Sequence, residues 1–218
     1  MCFSPTASFT TAGVTGLIGV LALTRVKAPR ELLLAATPLF FALQQAVEGL
    51  LWLNLPMTPD SPASRALVLT FLIFAQVFWP VFAPAAVLAI ETSDVRRRLM
   101  LPWLVVGAAV AAYLFWGLVS RPHGAVISQD HIVYRTEAPH STVIALAYLA
   151  ATTLPALLSS RRTVVALGAI VLVGSVVAHI FYLEAFQSVW CYFAGAGSVV
   201  ILCHFAWVRR FQPRTDPA

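Results

Sequence analysis

The sequence predicts an all-α integral membrane protein, a single seven-helix transmembrane domain over residues 1–218, and three observations predict it. Hydrophobic residues make up 60% of the chain and charged residues 11%, with a mean hydropathy of +0.84; soluble domains hold roughly 45–50% apolar and about 25% charged residues. Apolar stretches of the roughly 20 residues needed to cross about 30 Å of hydrocarbon as a helix recur along the whole chain. Basic residues collect in alternate connections, as expected where they are retained on the cytoplasmic side.

The expected spans are 8–24, 32–54, 66–90, 99–119, 141–158, 164–185 and 187–208. Their apolar runs are continuous, whereas barrel strands would alternate apolar and polar residues over segments of about ten. Arg25, Lys27 and Arg30 follow the first span, Arg96, Arg97 and Arg98 the third, Arg161 and Arg162 the fifth, and Arg209, Arg210 and Arg214 the last. The other connections carry only Arg65, Arg121 and Arg135. The N-terminus is therefore expected outside and the C-terminus in the cytoplasm of a bacterial inner membrane. The lipid bilayer is then the main partner, and the net charge of +5 needs no nucleic acid to explain it.

Taken in order, the chain opens MCFSPTASF. Cys2 leaves no room for a cleavable signal peptide, so an exported, uncleaved N-terminus is expected. Ser4, Thr6 and Ser8 can cap the first helix by accepting its unpaired N–H groups. In the second span, FFALQQAVEGLLW places Gln44, Glu48 and Trp52 at i, i+4 and i+8 on one helix face, with Gln45 beside them. Glu48 lies about six residues from the outer end, roughly 9 Å deep at 1.5 Å per residue. An acid and two amides in hydrocarbon are costly unless they face a partner or a cavity, so this face should look inward.

The third span carries Gln76 and then WPVFAP, where Pro80 and Pro84 remove backbone donors and should bend the helix. Tyr113 in the fourth span is placed at middle-to-outer depth. In the outer loop 120–140, AVI and HIVY flank the turn formers Ser128, Gln129 and Asp130, which predicts a short β-hairpin, with an irregular loop as the alternative. The sixth span ends GSVVAHIFYLEAF and sets His179 near the depth of Glu48, with Tyr182 one turn above. The seventh begins QSVWCYFAGAG, which adds Ser188, Cys191 and Tyr192 to that layer, while Gly195 and Gly197 allow close helix approach. A weak match of residues 79–90 with 190–201 raises a three-plus-one-plus-three repeat, against chance matching in a narrow apolar alphabet.

Three chemistries fit this outer layer. Cys2, Glu48, His179 and Cys191 offer thiolate, carboxylate and imidazole ligands suited to zinc or copper, although HxxxH and CxxC spacings are absent. Glu48 and His179 can instead act as a catalytic acid/base pair. Gln44, Gln45, Gln76, Tyr113, Tyr182 and Trp52 can bind a small ligand. The bland alternative is a network whose members only satisfy one another. Cys2 and Cys191 can equally form a disulfide on an oxidising outer side. At the other end, Cys203 and His204 read as interfacial, hydrogen-bonded residues.

The opening MCFS-x-x-ASF and the second-span QQ-x-x-EGL-x-W resemble a bacterial family of uncharacterised seven-span membrane proteins, which implies no established activity. Microbial rhodopsins are excluded because the only lysine is Lys27, in a loop. Seven-helix zinc hydrolases of the ceramidase type are excluded because His204 stands alone in the last span. The expectation is an outer polar pocket that binds a metal or small hydrophobic ligand and acts on it or not. The alternatives are a small-solute transporter with a midplane site at Gln44, Gln45, Gln76 and Glu48, and a structural or assembly protein.

Overall fold

A computed structural model describes residues 4–128, 131–136, 142–181, 195 and 197–206, without the side chains of His179 and Phe181. Helix α1 (Pro5–Leu23) starts where the Ser4 side chain accepts the Ala7 N–H at 3.1 Å and Pro5 supplies a helix-compatible φ. Of the three expected caps, Ser4 is therefore the one used. A 3-10 turn at Pro29–Glu31 leads into α2 (Leu32–Asn54), and Glu31 Oε2 accepts the Lys27 N–H at 2.9 Å.

Ser61 caps α3 (Pro62–Leu72) by accepting the Ser64 N–H at 3.1 Å. The chain then widens into a π turn over Ile73–Phe78 before α4 (Trp79–Ile90). Pro80, just after the π turn, accounts for the irregularity, and Pro84 adds a second missing donor inside α4. Each lacks the N–H that the carbonyl four residues earlier, Gln76 and Pro80 respectively, would accept. A wider turn reaches a donor one residue farther on. Tyr148 O–H also donates to the Ala75 carbonyl in this segment at 2.6 Å.

After α5 (Asp94–Ser120), β1 (His123–Ser128) and β2 (His131–Thr136) pair antiparallel, with Val126 opposite Val133 and Ser128 opposite His131. The expected hairpin exists. Helices α6 (Thr142–Leu157), α7 (Arg162–Phe181) and α8 (Gly197–Ala206) follow. The described residues are thus mainly helical with one small sheet. Among the described residues four helices, Pro5–Leu23, Pro29–Asn54, Pro62–Ile90 and Asp94–Ser120, are long and apolar enough to cross a membrane; the described apolar parts of the last three are shorter.

The helices pack as α1 on α2, α2 on α4, α4 on α5 and α6, and α6 on α7. Glycines fix the closest approaches. A Cβ on Gly19 would fall 2.9 Å from the Leu39 backbone N, one on Gly49 2.8 Å from the Phe9 ring, and one on Gly197 2.6 Å from Leu167 Cδ1. Gly195 faces Thr11 and Thr15, so the last helix sits between α1 and α7. One buried apolar cluster lies toward the hairpin, around Leu51, Trp52, Phe71, Trp79, Leu118 and Ile132. The other lies at the opposite end, around Ala22, Leu34, Ile90, Met100, Ala156 and Phe205. Large apolar side chains such as Trp116 (70% exposed) cover the outside, as expected of a lipid-facing wall. The proposed internal repeat rests on residues 190–201, of which 190–194 and 196 lie outside the described residues.

Candidate functional site

The polar α2 stripe is buried in the interior of the bundle. Gln44 and Glu48 are fully buried and Gln45 is 1% exposed. Their spacing on a helix puts all three in the interior at once. The Gln45 amide donates to Glu48 Oε2 at 3.0 Å, so one amide holds the carboxylate in place. Gln44 Oε1 accepts the Trp79 indole N–H at 2.7 Å, and Trp79 in turn stacks on Phe41 with ring centroids 4.1 Å apart. That hydrogen bond ties α2 to the junction between the π turn and α4. Gln76, on the π turn itself, is buried as well. Desolvating a carboxylate and three amides is expensive, and the geometry shows part of the compensation.

The hairpin closes one end of this region. Ile132 is fully buried in the same cluster as Trp52, and Tyr134 stacks parallel on Phe71 with centroids 4.3 Å apart. Trp52 completes the α2 stripe at its hairpin end. Its indole N–H is buried without a hydrogen-bond partner. Ala178 joins the same cluster from α7, which brings the backbone of the next residue, His179, to this end of the bundle. The His179 side chain, and Cys2, Tyr182 and Cys191 altogether, lie outside the described residues, as do Ser188 and Tyr192.

Tyr113 does not join the group: it is 40% exposed on α5, on the outer wall. Among the described residues no three His, Cys, Asp or Glu side chains gather as a metal centre. Glu48 is the one member of the expected zinc or copper ligand set whose side chain is described.

Two features were not anticipated from the sequence. Trp79 enters as the partner of Gln44, signalled only by its position before Pro80. At the opposite end, Glu91 is buried beyond α4 and joins two connections. Its carboxylate accepts the N–H groups of Thr92 and Ser93 at 3.0 Å, the Ser160 N–H at 2.8 Å, and the hydroxyls of Ser160 at 2.7 Å and Ser159 at 3.1 Å. Burial alone would raise its pKa. The hydrogen bonds from the Ser160 and Ser93 backbones and from the two serine hydroxyls outweigh that and lower it to about 2. Nearby, the His204 ring is hydrogen-bonded to the Thr163 hydroxyl, and Cys203 is exposed.

No curated protein and no solved structure matches the chain. The family of unknown function DUF6629 matches residues 1–217, almost the full length. A buried acid and amide stripe under a hairpin, in a bundle of apolar helices, is therefore to be read without an activity borrowed from elsewhere, and the chain belongs to the DUF6629 family.

Proposed function

We propose that this is a seven-span protein of a bacterial inner membrane, with its N-terminus outside, whose hairpin-side half holds a binding site for a metal or a small hydrophobic ligand. The observation that carries the reading is the full burial of Glu48 between Gln44 and Gln45 on one face of α2. A carboxylate in that position is a functional-site marker in a membrane bundle. His179, at the same end of α7, is the proposed acid/base partner or co-ligand. Enzyme action on the ligand belongs to this reading, with Glu48 and His179 as the reacting pair.

A transporter with a midplane site at Gln44, Gln45, Gln76 and Glu48 is the second reading. The π turn at Ile73–Phe78 favours it, because interrupted helices at membrane depth commonly line substrate paths.

Elemental analysis of protein purified without chelators, in parallel for the wild type, Glu48→Gln and His179→Ala, tests the site. For a metal, zinc or copper co-purifies with the wild type and falls at least tenfold in both variants. For a hydrophobic ligand, no metal is found, yet both variants lose the thermal stabilisation that added lipid extract gives the wild type. Neither difference appearing would remove the site. The topology has its own test: a membrane-impermeant thiol reagent applied to intact cells, with reductant, labels Cys2. Labelling only from the cytoplasmic side would invert the arrangement.

A further inference from the structure

Helices α1 and α2 run antiparallel in a register fixed by their glycines. Gly19 meets Leu39, Gly16 meets Ala42 and Gly49 meets Phe9. Ser8 therefore lies in the layer between Glu48 and Trp52, on the stripe it shares with Thr11 and Thr15, which face the last helix. Ser8 is fully buried and its hydroxyl has no hydrogen-bond partner. Trp52 is 9% exposed and its indole N–H has none either. Buried polar groups left without partners are uncommon and costly, and two in one layer beside a buried carboxylate call for a ligand that satisfies them.

The chemistry of the three groups selects that ligand. An indole N–H is a donor only, so whatever meets it must present an acceptor, which a bare cation cannot do. A carboxylate oxygen accepts hydrogen bonds, so a ligand that also presents a donor can meet Glu48. Trp52 and Glu48 are one helical turn apart, a separation that a single oxygen atom can bridge. A hydroxyl accepts from the indole and donates to the carboxylate, and the Ser8 hydroxyl can take either role. The surroundings, Leu51, Phe71 and Ile132, are apolar.

Resting on the ligand-site reading above, we infer that Ser8, Glu48 and Trp52 form a recognition site for the hydroxyl group of an apolar alcohol, soluble or carried by a lipid. Glu48 orients the hydroxyl proton, and Trp52 discriminates a hydroxyl from a methyl group.

The test uses the full chain in detergent micelles and follows saturable thermal stabilisation by 1-octanol, by 1,2-dioctanoylglycerol and by octane as the hydroxyl-free control. Both hydroxyl compounds should stabilise the wild type and octane should not. If only the diacylglycerol acts, the natural source is a lipid; if only octanol acts, it is a small alcohol. Trp52→Phe, which keeps an aromatic ring and removes the N–H, should weaken binding by about fivefold to tenfold, as loss of one hydrogen bond does. Ser8→Ala should weaken it by a similar factor, and Trp116→Phe on the outer wall should leave it unchanged.

Equal response to octane and octanol would overturn the inference, as would wild-type octanol affinity in both Trp52→Phe and Ser8→Ala. Binding lost in Glu48→Gln but kept in those two variants leaves the Glu48 site standing and removes the hydroxyl assignment. Binding unchanged in all three removes both.

Discussion

Gly107→Ala is expected to lower the thermal midpoint of the detergent-solubilised protein more than any other single methyl addition considered, by a destabilisation of about 3 kcal/mol or more. A Cβ at this position would fall 1.8 Å from the Pro80 carbonyl oxygen and 2.9 Å from its carbon. Both atoms are backbone, so no rotamer change relieves the clash and α4 and α5 must separate. The site is also special on the Pro80 side. Pro84 has no N–H to offer the Pro80 carbonyl, which leaves that oxygen protruding toward α5. Only a residue without a side chain lets the neighbouring backbone cover it, in the manner of the close Cα–H···O contacts found between helices.

Gly13→Ala is the matched control, because a Cβ there meets nothing within 4 Å and the residue is exposed on α1. It should stabilise by about 0.5–1 kcal/mol through helix propensity. A Gly107→Ala protein that melts within about 0.5 kcal/mol of the wild type would mean that α4 and α5 are not packed as described. Because the π turn carrying Gln76 lies just before Pro80, separation of the two helices should also disturb the polar stripe, which ligand-dependent stabilisation would report.

The parts of this arrangement that could be read in the sequence share a physical cause: they depend on residues close together in the chain. The Gln44, Glu48 and Trp52 stripe follows from helical spacing and the cost of burying a carboxylate, and both amides and the acid are indeed interior. The hairpin follows from β-branched runs on either side of a turn, and its strands pair around Ser128 and His131. Ser4 and Pro5 announce the first helix in the same local way.

What the sequence hid is non-local or lacks polar contrast. The Gln44 bond to Trp79 joins positions 35 residues apart, and the bonds from Glu91 to Ser159 and Ser160 join positions 68 and 69 apart. No periodicity encodes either. Tyr113, expected among the ligand-binding residues at middle-to-outer depth, is 40% exposed, because its helix is apolar on every side and the pattern does not separate the lipid-facing side from the buried one. The π turn is invisible for a similar reason: six residues of almost uniform apolarity show no change of period, and only the two prolines downstream hint at it.

Replacing Glu91 is the second large effect, and its pH dependence gives it a distinct signature. The carboxylate is 2% exposed and gathers donors from the α4–α5 connection and from the α6–α7 connection, so it fastens two otherwise separate turns. Arg97 adds to the same joint by donating to the carbonyls of Leu88 and Glu91 at 3.1 and 3.2 Å, and Arg96 donates to the Leu158 carbonyl. Glu91→Ala removes an ionised acceptor from five donors, and hydrogen bonds to charged groups contribute more than neutral ones. The expected destabilisation is about 2–4 kcal/mol.

The sign of the pH effect follows from the direction of the shift. The folded-state pKa is lowered from 4.5 to about 2. The unfolded chain therefore takes up a proton first as the pH falls. The contribution of this group is complete above pH about 4.5 and is lost as the pH drops through the folded value near 2. With the joint lying at the rim of the bundle, where water and salt screen it, about 2 kcal/mol is expected from this titration. Thermal unfolding of the wild type between pH 6 and pH 2.5 should show a decline that Glu91→Gln lacks, since the amide is already impaired at pH 6 and does not titrate. Equal pH slopes for the two proteins would mean that the acid sensitivity of the fold resides in other carboxylates.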